Sequence, residues 1–236
     1  MAAMETFPED WQRALFIVAH PDDPEYGAAA AVARWTGQGK EVTYLLVTRG
    51  EAGIDSIPPP EAGPLRSEEQ VRAGAAVGVD TVEFLDGHAD GVIEYGVPLR
   101  RDLAHAIRRH QPEVVLGLNP HPTWPGGALN MADHTAVGRA IPDACRDAAN
   151  RWVFTDQLGD GLEPWAGVRL VAFAASPEPT HVVDVTATWE QGEASLAEHR
   201  AYLDAVGPPD FLRPMAEAAG REAGCELAVS WEVIDL

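Results

Sequence analysis

An α/β architecture, with a largely parallel sheet covered by helices on both faces, is the fold class this sequence predicts. Three observations carry it. Short apolar runs alternate with helix-patterned segments over most of the length. The runs are continuously apolar rather than alternating, as strands buried on both faces require. And 236 residues with 46% hydrophobic and 23% charged side chains describe a globular chain long enough to bury a substantial core.

Leu15-Phe16-Ile17-Val18-Ala19 is the first such run, and it leads straight into His20-Pro21-Asp22-Asp23-Pro24-Glu25. An alanine-rich helix is predicted over 25–36, with Pro24 in its first turn and Gly37 near its end. Residues 42–48 form the second strand, followed by Arg49-Gly50-Glu51-Ala52-Gly53 and a loop holding prolines 58–60. A helix over 67–77, capped by Ser67, precedes a third strand over 81–85. The Gly- and Asp-rich stretch 86–96 reads as a loop, 98–110 as a basic amphipathic helix and 113–118 as the fourth strand. A long loop, 119–131, precedes a helix over 133–149 that Pro142 should disturb. Strands over 169–174 and 181–185, one long helix over 188–206, a short helix over 215–221 and a strand over 226–233 complete the chain. No internal repeat or low-complexity linker interrupts it. Residues 1–236 are therefore read as one domain, with 176–236 as a C-terminal elaboration.

The formal charge is −20, from 37 acidic and 17 basic residues, of which only Lys40 is a lysine. Such a surface repels phosphate backbones and anionic lipid, so no nucleic-acid or membrane partner is expected. Cys145 and Cys225 stand far apart without a CxxC pair, as buried thiols of a reducing cytoplasm would. No basic n-region begins the chain, and the longest early apolar run is Ala14 to Ala19, so neither a secretory signal nor a membrane span is expected. Gly37-Gln38-Gly39 follows a helix rather than a strand, which removes a dinucleotide-loop reading.

Ligands of an open parallel sheet bind beyond the carboxyl ends of its strands. The segments 20–25, 49–53 and 119–131 each follow a strand, so they should meet on one rim. His20, Asp22 and Asp23 place an imidazole and two carboxylates on a single turn. Zinc takes such nitrogen and oxygen donors, with three protein ligands and an open position in catalytic sites. One aspartate can join His20 on the ion while the other stays beside it to take a proton from water. The competing reading is an aspartate that caps the helix at Pro24. A third ligand is offered by His134, at the start of the helix after the 119–131 loop, against the plainer reading of a solvated first-turn histidine.

Taken together these segments resemble the PIG-L / LmbE-type deacetylase superfamily. Ala19-His20-Pro21-Asp22-Asp23-Pro24-Glu25 is similar to its AHPDD-x-E signature, and Thr48 to Gly53 to its T-x-GEAG segment. Arg66 with Glu69 resembles its R-x-x-E helix, Phe84-Leu85-Asp86-Gly87 a strand end, Ala132-Asp133-His134 the second signature, HPDH, and Ala197-Glu198-His199-Arg200 a C-terminal helix with an AH pair. The resemblance runs in order from about residue 13 to 206. It implies a Rossmann-like three-layer sandwich and zinc-dependent hydrolysis of an N-acyl, typically N-acetyl, amide on a glucosamine-type molecule or conjugate. It implies His20, Asp23 and His134 as zinc ligands and Asp22 as general base. The expected partner is a small-molecule amino-sugar amide, and a homo-oligomer is compatible with the sequence.

One position departs from the family. Met131 stands where the second signature often has a histidine that donates a proton or steadies the oxyanion. Either Asp22 both takes and returns the proton, or His121, His181 or His199 substitutes, or the activity has drifted. Other residues carry paired readings. Arg66 binds a sugar hydroxyl or phosphate, or is a surface arginine. Glu51 holds the rim or touches substrate. Trp124 stacks on a sugar ring or anchors its loop. Asp133 orients a histidine or caps its helix. His181 is a core or edge histidine on a strand, and His88 and His105 are assigned nothing. Two rival functions stand beside hydrolysis. Two histidines and a carboxylate also form the facial triad of Fe(II) oxygenases. A protein that merely holds a metal or sugar would tolerate Met131, although it would not need a spare base at Asp22.

Overall fold

The computed structural model describes residues 4–159 and 161–236. Its strands are β1 (Glu5–Thr6), β2 (Arg13–Val18), β3 (Glu41–Leu46), β4 (Thr81–Phe84), β5 (Val114–Leu118), β6 (Leu170–Ala174), β7 (His181–Asp184) and β8 (Ala228–Asp235). They form one sheet in the order β1-β7-β8-β6-β5-β2-β3-β4. Neighbours are parallel except where β8 runs antiparallel between β6 and β7. The two-residue side-chain period of β2 sends Phe16 and Val18 to one face and Leu15 and Ile17 to the other. The first face is covered by the alanine-rich α2 (Ala29–Gly37) with Trp11, Trp35 and Trp231, and the second by α4 (Val97–His110) and α5 (Ala132–Ala149). The result is the three-layer α/β sandwich expected.

The chain order along the sheet locates the site. From β2 the chain moves outward through β3 to β4, then returns to β5 on the other side of β2. The crevice beyond the carboxyl ends of β2 and β5 is thus the topological switch point, where open α/β sheets bind ligands.

Several elements differ from the sequence reading, each for a physical reason. The helix expected over 25–36 is two: α1 (Asp23–Gly27) and α2, broken at Ala28, whose φ is −154°. α1 is pressed onto the sheet end, where a Cβ on Gly27 would sit 3.0 Å from Leu118 Cδ1. α3 (Pro59–Ala76) begins well before Ser67, because prolines in a first turn need no N–H partner and already hold a helical φ. Ser67 is no cap: its hydroxyl donates to Gly63 O at 2.8 Å in mid-helix. α5 runs unbroken through Pro142, and the buried Val137, Ala140, Ile141 and Ala144 offset the lost hydrogen bond of about 3 kcal/mol. The long helix expected over 188–206 is divided into α7 (Trp189–Leu196) and α8 (Arg200–Val206), since Glu69 Oε1 accepts the Ala201 N–H at 2.7 Å and starts a new helix there. α9 (Leu212–Ala223) is longer than the predicted 215–221, and β1 and the one-turn α6 (Thr155–Leu158) were too short to show a period.

Candidate metal centre and active site

Beyond β2 the chain turns through His20 and Asp22 into α1. Asp22 takes a left-handed backbone, φ 85°, a costly conformation for a residue with a Cβ. Its N–H is held by Gln70 Oε1 at 2.8 Å. The turn folds the Asp23 carboxylate back along the chain, where Oδ2 accepts the N–H groups of Ala19 and His20 at 3.0 and 2.9 Å. No side chain caps α1, so both aspartates point elsewhere than a capping role requires.

Across the crevice, the first turn of α5 delivers His134. Its Nε2 lies 3.1 Å from Asp23 Oδ1 and 3.3 Å from His20 Nδ1, and His20 Nδ1 lies 3.7 Å from Asp23 Oδ2. Donors about 2.0–2.2 Å from a tetrahedral ion stand about 3.3 Å from one another, so this triangle fits a single small cation. The outer edges of both rings are tied. His20 Nε2 lies 3.1 Å from Asp133 Oδ2 and 3.0 Å from Asp90 Oδ1, and His134 Nδ1 lies 2.9 Å from Asn130 Oδ1. These acceptors draw the ring protons outward and leave a lone pair on each inner nitrogen, the arrangement that metal-ligating histidines need.

Charge points the same way. Four carboxylates, from Asp22, Asp23, Asp90 and Asp133, surround the two imidazoles, and among the described residues Arg66 is the one arginine or lysine paired with any of them. Burial disfavours a charged His20, yet Asp133, Asp23 and Asp90 together raise its pKa well above the usual imidazole value. Burial would lift Asp23 as well, but His134 and His20 hold it far below the carboxylate range. A divalent ion fits this excess of negative charge and this donor set.

Asp22 stands apart from the triangle. Burial raises its carboxyl to about 7, against the lowering influence of Arg66. Arg66, itself 2% exposed, donates to Asp22 Oδ1 at 3.2 Å, to Pro21 O at 2.8 Å and to Gly50 O at 2.8 Å, and lies over the Tyr202 ring. The glycines of the 49–53 segment make this possible: a Cβ on Gly50 or on Gly53 would collide with the guanidinium. Arg66 is therefore a buried brace rather than a surface residue.

A cavity of 510 Å³ opens above the triangle. His20, Asp22, Asp23, Asp90 and His134 form its floor. Trp124, Pro125, Met131, Phe211 and Met215 supply an apolar wall, and Tyr26 and Tyr202 add hydroxyls. Trp124 also meets the His134 ring edge-on at 5.5 Å. Of the other sequence candidates, Asp133 orients His20 and the 86–96 loop, accepting the N–H groups of Gly91 and Ile93 at 2.7 and 3.0 Å. Glu51 ties the rim together, accepting from the N–H groups of Asp90 and Arg49, and does not line the cavity. None of the histidines proposed as a stand-in at Met131 lines it either. His121 pairs with Glu232, His181 with Thr180, and His199 is wholly buried against Glu25. Asp90, Asn130, Gln70 and the two tyrosines were not foreseen. Asp90 sits after a strand end in a loop that the sequence did mark, and this position was the available signal. Asn130 and Gln70 carry none.

Comparison with known proteins agrees with this geometry. The PIG-L family model, GlcNAc-PI de-N-acetylase, matches residues 15–145. Diacetylchitobiose deacetylase of Thermococcus kodakarensis is 27% identical over 91% of this chain and 80% of its own. The 1D-myo-inositol 2-acetamido-2-deoxy-alpha-D-glucopyranoside deacetylase of Kineococcus radiotolerans is 30% identical over 89% of this chain, but the match spans only 64% of that protein. The structure of N,N'-diacetylchitobiose deacetylase from Pyrococcus horikoshii, bound to an inhibitor, superimposes with a TM-score of 0.86 over 96% of this chain and 85% of that one, at 23% identity, and so shares its fold. The family match covers more than half of the sequence and contains His20, Asp22, Asp23 and His134. This sets hydrolysis above both the oxygenase and the pure binding protein. The chain belongs to the PIG-L family of de-N-acetylases and is an amide hydrolase.

Proposed function

We propose that the chain removes the acetyl group from an N-acetylated amino-sugar derivative, with zinc held by His20, Asp23 and His134 and with Asp22 as the proton carrier. The observation that carries this reading is the convergence of the three donor atoms within 4.8 Å at the switch point, with Asp22 lining the same cavity. When bound, the ion supplies Lewis-acid polarisation of the amide carbonyl and an acidified water. The protein's own groups do the rest. Asp22, with a carboxyl near 7, is suited both to take a proton from water and to return it to the departing amine. That double duty accounts for Met131, whose thioether transfers no proton. Arg66 fixes one Asp22 oxygen and so limits how the carboxylate can turn. Trp124 offers a flat apolar face of the kind on which a sugar ring stacks.

The relatives' activities on diacetylchitobiose and on an inositol glucosaminide support this substrate class. The cavity adds a constraint of its own. The one arginine or lysine lining it, Arg66, is already engaged, so a neutral glycoside suits it better than a phosphorylated or carboxylated one. No helix among the described residues is long and apolar enough to cross a membrane, and both cysteines are unpaired, which accords with work in a reducing cytoplasm. The test is acetate release from N-acetylglucosamine, diacetylchitobiose and N-acetylglucosaminyl-inositol, with metal content measured in parallel. Asp22→Asn should bind metal normally and lose at least about 100-fold in kcat. Full activity in Asp22→Asn would remove the assigned base. His134→Ala should lose metal and activity together.

A further inference from the structure

We propose that the chain carries a second divalent-cation site, formed by His121, Glu178 and Glu232 outside the catalytic cavity. The three residues come from separate parts of the fold: the loop after β5, the segment after β6, and β8. Each offers a donor atom within 4.8 Å of the other two. Hydrogen bonds hold the three residues together. Ser176 Oγ donates to Glu232 Oε2 at 2.5 Å and accepts the Glu178 N–H at 3.0 Å, so one hydroxyl pins both acidic segments. His121 Nε2 lies 2.7 Å from the same Glu232 oxygen, a direct hydrogen bond that a bound ion would part to the wider spacing of two ligands.

No arginine or lysine among the described residues balances the two carboxylates. Among the described residues neither Glu178 nor Glu232 has an arginine or lysine within ion-pair distance, and His121 is the single basic partner of Glu232. Two carboxylates and an imidazole match the donor preferences of a first-row transition ion such as Zn²⁺ or Mn²⁺, and not the all-oxygen shells of Ca²⁺ and Mg²⁺. The His121 and Glu232 side chains are 26% and 17% exposed and Glu178 is exposed, so water can complete the coordination and the ion can exchange.

The position gives such an ion a consequence. The His121 carbonyl accepts from Asn130 Nδ2 at 2.8 Å, and Asn130 Oδ1 is the acceptor that orients His134. An ion that joins His121 to β8 and to the segment after β6 therefore anchors the loop that supports a ligand of the first site. It acts as a clamp on the 119–131 loop, not as a participant in the reaction.

The test is zinc stoichiometry on the full chain stripped with chelator, by equilibrium dialysis and elemental analysis. The wild type should bind two equivalents. Glu178→Gln with Glu232→Gln should keep one, and His134→Ala should keep the other. Removal of an outer partner alone costs about 10–100-fold in metal affinity, so removal of two ligands should abolish the weaker class within the measured range. Amide exchange over 121–131 should slow when the second equivalent binds the wild type and remain unchanged in the double variant. Glu178→Gln alone, on an exposed side chain, keeps the test open if the double variant folds poorly: it should weaken only the second class, at least about tenfold. A single equivalent in the wild type, or a second that survives the double variant, would overturn the proposal.

Discussion

Asn130 offers a direct probe of how the metal centre is held. It is 6% exposed and makes four hydrogen bonds with opposite ends of its amide. Oδ1 accepts from His134 Nδ1 at 2.9 Å and from the Met131 N–H at 2.8 Å. Nδ2 donates to Asn119 O and His121 O at 2.9 and 2.8 Å. Asn130→Ala deletes all four, at about 0.5–1.5 kcal/mol each, for an expected loss of roughly 2–6 kcal/mol in stability. It also frees the His134 ring, which should weaken metal binding about 10–100-fold, equivalent to about 1.4–2.8 kcal/mol. Asn130→Asp separates the two effects. The carboxylate still accepts from His134, so metal affinity should stay within a few-fold of wild type, but two carbonyls now face an acceptor and stability should still fall. Competition against a chromogenic chelator reads the first quantity, and urea unfolding of the metal-free protein reads the second. If Asn130→Ala binds metal as tightly as wild type while unfolding at lower urea, the residue is a loop anchor and the outer-partner reasoning is wrong.

Three further outcomes follow from other parts of the molecule. Arg108, 1% exposed, donates to the carbonyls of Asp147, Ala148, Asn150, Val153 and Phe154 and to Gln157 at 2.8–3.2 Å, gathering the end of α5. Arg108→Met should cost roughly 3–5 kcal/mol in urea unfolding, and a loss below about 1 kcal/mol would mean water replaces it freely. Burial opposes a charge on His199, but the hydrogen bond and charge of Glu25, with Asp22 and Glu69 nearby, raise its pKa. Its stabilising contribution is then full below the unfolded value of about 6.5 and is lost as pH climbs through the raised folded value. The unfolding free-energy gap between wild type and His199→Gln should accordingly be widest below pH about 6.5 and shrink above it, and a gap that grows with pH would reverse the assignment. Gly53→Ala should displace Arg66, because the backbone there is ordinary and only the new methyl group collides. Activity should fall at least about tenfold with the bound metal unchanged.

What could be read in advance divides by range. β2, β3 and β5 announce themselves because strands buried on both faces are continuously apolar, and the crevice follows from the alternation that orders them. The candidate metal corner could be read because His20, Asp22 and Asp23 are neighbours in sequence. His134 needed the fold as well, since only the switch point brings the loops after β2 and β5 together. Asn130 and Gln70 were invisible for a simple reason. Amide side chains are common everywhere, and their roles depend on partners 4 and 48 positions away. Helix breaks failed likewise: the division of α7 from α8 is imposed by Glu69, on another helix, and no local pattern at 197–199 records it.

The same contact explains why motifs remote from the chemistry belong to the site. Arg66, Glu69 and Gln70 stand at i, i+3 and i+4 on α3 and so share one face. Arg66 holds the Asp22 carboxylate, Gln70 holds the Asp22 backbone, and Glu69 starts α8. Gln70 Nε2 also donates to Glu25, whose carboxylate lies 3.1 Å from His199 Nε2 and accepts from Ser195 Oγ at 3.2 Å. A continuous buried chain thus runs from the strained turn at Asp22 through α3 to the junction of α7 and α8. A left-handed aspartate persists only where its surroundings over-determine it, and here they include residues nearly 180 positions away. The C-terminal helices are therefore part of what holds the proposed proton carrier in place. Gln70→Leu, which cuts this chain while leaving β8 in the sheet, should therefore lower kcat with metal stoichiometry unchanged, because the three candidate donors and their outer partners, all within residues 20–134, do not involve Gln70.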